Sequence, residues 1–231
     1  MMRYPHECLT ELPSKLTATG VGRGYRSEEA AEETPPPRRE VKLRAPLFEA
    51  AEKKLTPAEA GTAHHLFMQF CDFDAACAPN GVENELNRLA EKKILSTEQA
   101  HAVDKRKIER FFASDLYKTF MAENKVRREF KFSVLVPAQA YFPVAADAPE
   151  ENVLLQGVID CLIETRDGFV ILDFKTDRIK KGGAVERAEQ YRPQLAAYAR
   201  AVHEIYGRPV RACVLYFFHT GDTEWVSLDE D

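Results

Sequence analysis

From Val153 to Glu164 the sequence reads VLLQGVIDCLIE, and from Phe169 to Thr176 it reads FVILDFKT. Both runs are short, apolar and rich in β-branched residues, and Thr165-Arg166-Asp167-Gly168 separates them. An Asp-Gly pair between two such runs predicts a β-hairpin. With Asp167-Gly168 as a two-residue loop, Arg166 pairs with Phe169, Asp160 lies opposite Lys175, and Asp173 lies opposite Leu162, diagonal to Asp160. Side chains alternate with period two, so Asp160, Asp173 and Lys175 project from one face. Ionised groups are seldom buried unless they are paired or bind a metal. Two readings fit. One is a cross-strand Asp–Lys ion pair beside a solvent-facing Asp. The other is a site in which two carboxylates share a hard divalent cation, while the ammonium holds a water or offsets charge on a phosphate. The hairpin alone leaves both open.

The chain has 231 residues, 45% hydrophobic and 30% charged, with a formal net charge of −5. That suffices for one domain with a proper core and an appendage. No apolar run approaches the ~18–20 residues that span a bilayer, and Met1–Leu12 lacks the apolar centre of a signal peptide. The cysteines (Cys8, Cys71, Cys77, Cys161, Cys213) are odd in number and show no C-x-x-C spacing. They argue against a disulfide framework and against zinc-ribbon or cluster ligation, so a reduced, cytoplasmic protein is expected.

Residues 1–46 read as a largely irregular tether: Thr19–Gly24 is glycine-rich, Ser27–Glu33 acidic, and Pro35-Pro36-Pro37-Arg38-Arg39 fits neither a helix nor a central strand. Helical pattern begins at Thr56-Pro57, a good N-cap followed by proline at the first helical position. It continues with Ala63, Phe67, Phe70 and Cys71 at helical spacing. His64 and His65 point about 100° apart on such a helix, so one site readily takes only one of them. Two further helices are predicted, over Val82–Leu95 and Ser96–Phe120. From Val126 the period becomes two, with Arg128, Phe130, Phe132, Val134 and Val136 on one face and Arg127, Glu129, Lys131 and Ser133 on the other. After the hairpin, Arg178–Arg187 reads as a basic, glycine-bearing loop, and a helix is predicted from Pro193 to Tyr206. Ala212–Phe218 and Glu224–Leu228 read as closing strands. The order of elements predicts a mixed sheet with helices packed on it, an α/β or α+β domain, with a helical part over 56–120 and a sheet core over 126–228.

The residues G-V-I-D (Gly157–Asp160), D-F-K-T-D (Asp173–Asp177) and Y-x2-Q-L-x2-Y (Tyr191, Gln194, Leu195, Tyr198) resemble the RecB-type branch of the PD-(D/E)xK nucleases. Leu12–Thr17, the proline-rich tether and Gly61-Thr62-x2-His65-x3-Gln69 bring the resemblance to the nuclease domains of AddA-type helicase/nucleases, from about Leu12 to Val226. A bare D…DxK is a weak signal; joined in order to a G-T-x2-H helix and a Q-x3-Y helix it is specific.

The resemblance implies a restriction-endonuclease-like mixed β-sheet flanked by helices over 47–231. It implies Asp160, Asp173, His65 and the carbonyl of Phe174 as ligands of Mg²⁺ or Mn²⁺, with Lys175 as the catalytic lysine beside Asp160 and Asp173. It further implies support or DNA engagement from Glu129, Tyr191, Gln194 and Tyr198. Arg178, Lys180 and Lys181 would add phosphate contacts. The family position four residues after Gly61 favours His65 over His64. The implied activity is metal-dependent hydrolysis of DNA, mainly single strands, in break repair and recombination. The implied partners are the helicase part of a full-length bacterial protein and an AddB-type partner, with no membrane. AddB-type relatives hold an iron–sulfur cluster through four cysteines, a spacing missing here, so no cluster is expected. The sequence contains no G-x4-G-K-[ST], so no ATP site is expected and the chain reads as an excised domain. The alternatives are a non-catalytic DNA-binding or docking module and a stand-alone phage- or restriction-type nuclease. Relief of carboxylate repulsion would leave Asp173→Ala neutral or stabilising without metal.

Overall fold

The computed structural model describes residues 12–21, 55–146 and 150–228. They fall into two compact units. One is a sheet unit built from the described parts of 1–24, 121–175 and 179–231, and the other is a helical unit spanning the described parts of 25–120 together with 176–178.

Among the described residues the sheet has six strands: β1 (Lys15–Thr17), β2 (Lys125–Pro137), β3 (Asn152–Thr165), β4 (Gly168–Lys175), β5 (Val210–Phe217) and β6 (Thr223–Val226). β2 runs antiparallel along one edge of β3, from Lys125 opposite Glu164 to Pro137 opposite Asn152. The other edge of β3 is shared. Its start pairs in parallel with β1, Lys15 to Thr17 against Leu154 to Gln156, and its end pairs antiparallel with β4. β4 then pairs in parallel with β5, and β5 antiparallel with β6. A parallel neighbour needs a crossover, here helix α6 (Ala184–Tyr206). The predicted α/β architecture is therefore present. The stretch read as a tether also contributes strand β1, while residues 1–11 and 22–46 of that expectation lie outside the described residues.

The predicted hairpin forms with a different register. Thr165 pairs with Gly168, so the two-residue loop is Arg166-Asp167 instead of Asp167-Gly168. Gly168 is the first residue of β4, at φ +149°, and a Cβ there would meet the Pro209 carbonyl oxygen at 2.2 Å. Phe169 N–H donates to that same oxygen at 2.9 Å. The glycine thus serves the close approach of two chain segments rather than the turn. The register moves by two residues, which preserves which face each side chain occupies; a slip of one would have reversed it.

Helix α6 begins at Ala184, and Pro193 lies inside it, not at its start. Proline removes one i→i−4 hydrogen bond. The surrounding run is long and amphipathic, and buries Ala188, Leu195, Ala197, Tyr198, Ala201 and Val202 against the sheet. Each large buried aliphatic contributes about 1.5–3 kcal/mol, enough to carry one missing bond. On the sheet side this core takes Phe169 and Ile171 of β4 and Cys213, Leu215 and Phe217 of β5.

The helical unit holds α1 (Pro57–Phe70), α2 (Phe73–Ala76), α3 (Gly81–Glu91), α4 (Thr97–Ala102) and α5 (Lys105–Ala113). Thr56 and Ser96 form capping boxes with Glu59 and Gln99. The helix predicted over Ser96–Phe120 is broken. Val103 is extended (φ −70°, ψ 122°), the Asp104 side chain accepts from Lys107 N–H to start α5, and a π-helical turn follows over Leu116–Met121. The Asp104 cap satisfies a helix N-terminus that an unbroken apolar stripe conceals. α2 opens in the same way, with Asp72 as its cap. No helix among the described residues is long and apolar enough to cross a membrane.

Candidate active site

β4 leaves β3 after Cys161–Leu172, and β1 ends opposite Gln156, so Gly157–Asp160 have no ladder partner on that edge of β3. A fork opens between β3 and β4, with Asp160 at its apex. Continued at the observed register, Asp160 faces Asp173 directly, not Lys175, and the expected diagonal is replaced by a direct pair. The fork leaves a backbone donor without a ladder partner, and Asp160 takes it: Phe174 N–H donates to Asp160 Oδ2 at 2.7 Å. The N–H and C=O of one strand residue point to the same side, so the Phe174 carbonyl shares the fork with the Asp160 carboxylate. Lys175 C=O points the other way and accepts from Phe218 N–H at 2.9 Å.

Asp173 and Lys175 stand two residues apart on the α6-facing side of β4. Lys175 Nζ lies 2.5 Å from Asp173 Oδ2, with the two side chains 13% and 5% exposed. Gln194 joins them. Its Oε1 accepts from Lys175 Nζ at 3.3 Å, and its Nε2 donates to Asp173 Oδ1 at 3.2 Å and to Tyr198 Oη at 2.7 Å. The amide thus reads both charges with the matching end, an orientation that the carboxylate on one side and the ammonium on the other fix. Lys175 Nζ also sits 3.9 Å from the centre of the Tyr191 ring.

The early start of α6 places Arg187, Tyr191, Gln194 and Tyr198 on one stripe, at i, i+4, i+7 and i+11. Arg187, expected in the basic loop, is helical. Its guanidinium lies 5.1 Å from the Tyr191 ring centre and donates to Tyr191 Oη at 3.3 Å. The sequence reading missed Arg187 as part of the site; extending the helical stripe one turn upstream of Tyr191 would have found it. Burial pushes the Tyr198 hydroxyl far above the usual tyrosine range. The negative charge of Asp173 adds to this, as do Asp160 and Glu129 to a smaller extent, against the opposing Gln194 hydrogen bond.

Glu129 is thereby brought into the same electrostatic neighbourhood. It stands at the β2 position opposite Asp160, where the ladder between Arg128–Cys161 and Phe130–Ile159 skips a pair. Its φ is +50°, unusual for a non-glycine residue in a strand. The period-two reading of β2 fails at this residue. Arg127 donates to Tyr206 Oη at 2.6 Å, and Phe130 packs on the same Tyr206 ring at 5.9 Å, although residues three apart should face opposite sides. β3 shows the matching break, since Ile159 and Leu162 both enter the core under α6. The alternation resets at Glu129 and Asp160 together, which turns Ile159 and Leu162 of β3 toward α6 on either side of Asp160, and Arg127 and Phe130 of β2 toward Tyr206 on either side of Glu129.

His65 is half-buried on α1 in the helical unit. Its neighbour His64 is buried and committed: Nδ1–H donates to the Ala60 carbonyl at 2.8 Å, and Nε2 accepts from Asp104 N–H at 3.1 Å. Burial holds the His64 pKa below its usual value. With both ring nitrogens engaged, His64 is a structural histidine and offers no lone pair to a metal. Arg178, Lys180 and Lys181 are exposed to solvent.

Among the described residues no three His, Cys, Asp or Glu side chains form a ready cage for a metal. The fork nevertheless suits a hard divalent cation. It supplies carboxylate and carbonyl oxygens from Asp160, Asp173 and Phe174, and one carboxylate oxygen already holds the Lys175 ammonium. Mg²⁺ characteristically takes one or two carboxylates and keeps several waters.

The PD-(D/E)XK nuclease superfamily model matches residues 38–227. The A subunit of the ATP-dependent helicase/nuclease of Moorella thermoacetica is 40% identical over 221 residues, covering 94% of this chain and 15% of that protein. The corresponding protein of Thermoanaerobacter sp. (strain X514) is 34% identical over 220 residues, and that of Desulforamulus reducens 37%, each covering 95% of this chain and 18% of the relative. The chain spans less than a fifth of the length of these relatives. The matched range takes in the fork, the D-F-K triplet and the stripe of α6 and covers well over half of the sequence, and on that ground the chain belongs to the PD-(D/E)XK nuclease superfamily.

Proposed function

We propose that this chain is the nuclease domain of an AddA-type helicase/nuclease and hydrolyses phosphodiester bonds of DNA, acting as an exonuclease mainly on single strands. The observation that carries the reading is the fork in which Asp160, Asp173 and Lys175 meet, tied together by Phe174 N–H and Gln194. Asp160, Asp173 and the Phe174 carbonyl would hold Mg²⁺ or Mn²⁺, which when bound supplies Lewis-acid polarisation of the phosphate and a more acidic water; His65 as a further ligand is what the resemblance implies. Lys175 orients the attacking water or offsets charge that grows on the phosphate. Gln194 keeps Lys175 and Asp173 in register. Glu129 adds negative charge beside Asp160. Arg178, Lys180 and Lys181 hold the strand through its phosphates, a grip without sequence preference that weakens with salt.

The relatives are several times longer than this chain and carry helicase in their names, which supports a helicase part in the same polypeptide. By the resemblance, an AddB-type partner completes the complex in the bacterial cytoplasm. End-labelled single- and double-stranded DNA, incubated with Mg²⁺, Mn²⁺ or EDTA, tests the reading. Metal-dependent shortening of the single strand is expected. Cutting that persists in EDTA would overturn it.

A further inference from the structure

The Lys175 ammonium lies 2.5 Å from Asp173 Oδ2 and Gln194 Nε2 donates to Oδ1, so both oxygens of a carboxylate that would hold a divalent cation are already engaged. Metal and lysine therefore compete for one carboxylate. A lysine expelled from Asp173 would lose the group that positions it, unless something else holds the ammonium. The structure contains that second seat. The Tyr191 ring lies 3.9 Å from Lys175 Nζ, and Gln194 Oε1 lies 3.3 Å away. An aromatic face attracts an ammonium without presenting a charge that a metal can claim. The ring is itself held, since Arg187 donates to its hydroxyl and stacks near it at 5.1 Å.

We infer that Tyr191 is a positioning residue that keeps Lys175 in place when a divalent cation takes over Asp173, so that metal binding and lysine placement are compatible. This inference rests on the metal reading of the fork. The ring already faces Lys175 at 3.9 Å, and its attraction grows once the carboxylate no longer neutralises the ammonium; this difference lowers the cost of moving Lys175 off Asp173 and strengthens metal binding without touching the metal.

The test is calorimetric titration of this chain with Mn²⁺ alone, in four variants chosen around the competition. Tyr191→Leu should weaken binding about threefold to tenfold, the range a partly shielded cation–π contact allows, while Tyr191→Phe, which keeps the ring, should bind as the wild type does. Lys175→Met should tighten binding, because the competitor is gone, and Tyr191→Leu added to Lys175→Met should change nothing further. An equal weakening by Tyr191→Leu in both backgrounds would overturn the inference, as would no weakening at all. Circular dichroism melts of each variant identify any loss that comes from unfolding, and Tyr191→Met, which fills the space without a ring, replaces Tyr191→Leu if the latter does not fold. Mn²⁺ uptake that survives Asp160→Asn with Asp173→Asn would remove the metal reading itself, and the inference with it.

Discussion

Replacing Asp173 by alanine in metal-free buffer separates two opposed electrostatic accounts of the fork. Considered as one of several clustered carboxylates, Asp173 should be neutral or stabilising to remove. The observed geometry predicts the opposite sign. Its side chain is 5% exposed, pairs with Lys175 Nζ at 2.5 Å and accepts from Gln194 Nε2 at 3.2 Å. Removing one partner of a buried ion pair costs about 3–5 kcal/mol, mostly because the other charge is left uncompensated. Lys175 is 13% exposed and retains Gln194 Oε1 and the Tyr191 ring, and its stem can carry the ammonium toward water. The expected loss is therefore about 2–4 kcal/mol. Urea unfolding followed by circular dichroism in EDTA measures it. Adding Lys175→Met should recover most of the loss, because the stranded charge is then gone. An Asp173→Ala protein as stable as the wild type would refute this reasoning and restore carboxylate repulsion as the larger effect.

Three further outcomes follow from other parts of the chain. Gly168→Ala forces a Cβ against the Pro209 carbonyl at φ +149°, and should cost at least about 3 kcal/mol or prevent folding, as read by urea unfolding. Glu85 is buried, accepts from Asp72 N–H at 2.6 Å and pairs with Arg88, so Glu85→Ala should destabilise the helical unit by about 2–3 kcal/mol, visible in its thermal melt. His64 has a folded pKa below its unfolded value of 6.5, because the buried ring is held neutral. The unfolded chain then binds more protons than the folded one as pH falls through 6.5, so stability is full above that value and declines toward acid, by at most about 1.4 kcal/mol per pH unit. His64→Gln should flatten the slope below pH 6.5, and an unchanged slope would assign it to other groups.

Much of the site was legible because it depends on parity rather than register. Asp160, Asp173 and Lys175 share a face at either register of the hairpin, since the two differ by an even number of residues. The register itself was not legible, because Gly168 is required by the Pro209 carbonyl, a contact some forty residues away in sequence that no local turn rule contains. Pro193 was misleading for a similar reason: tertiary burial along α6 outweighs one lost hydrogen bond, and with the helix start misplaced Arg187 was taken for a loop residue. The reversal of alternation at Glu129 left no mark in the residue pattern, which stays alternating through a point where the backbone does not. In the sequence the preference for His65 over His64 rests on the family spacing alone. The structure adds a physical reason against His64 in the two hydrogen bonds that occupy its ring.

In the proposed function the β3–β4 fork cuts DNA through Lys175 and the two carboxylates. Cleavage of end-labelled single-stranded DNA in Mg²⁺ by the wild type and Lys175→Ala, compared at equal folded protein, tests it most directly. Cutting by the wild type and none by the variant is expected. Equal cutting by both would contradict it.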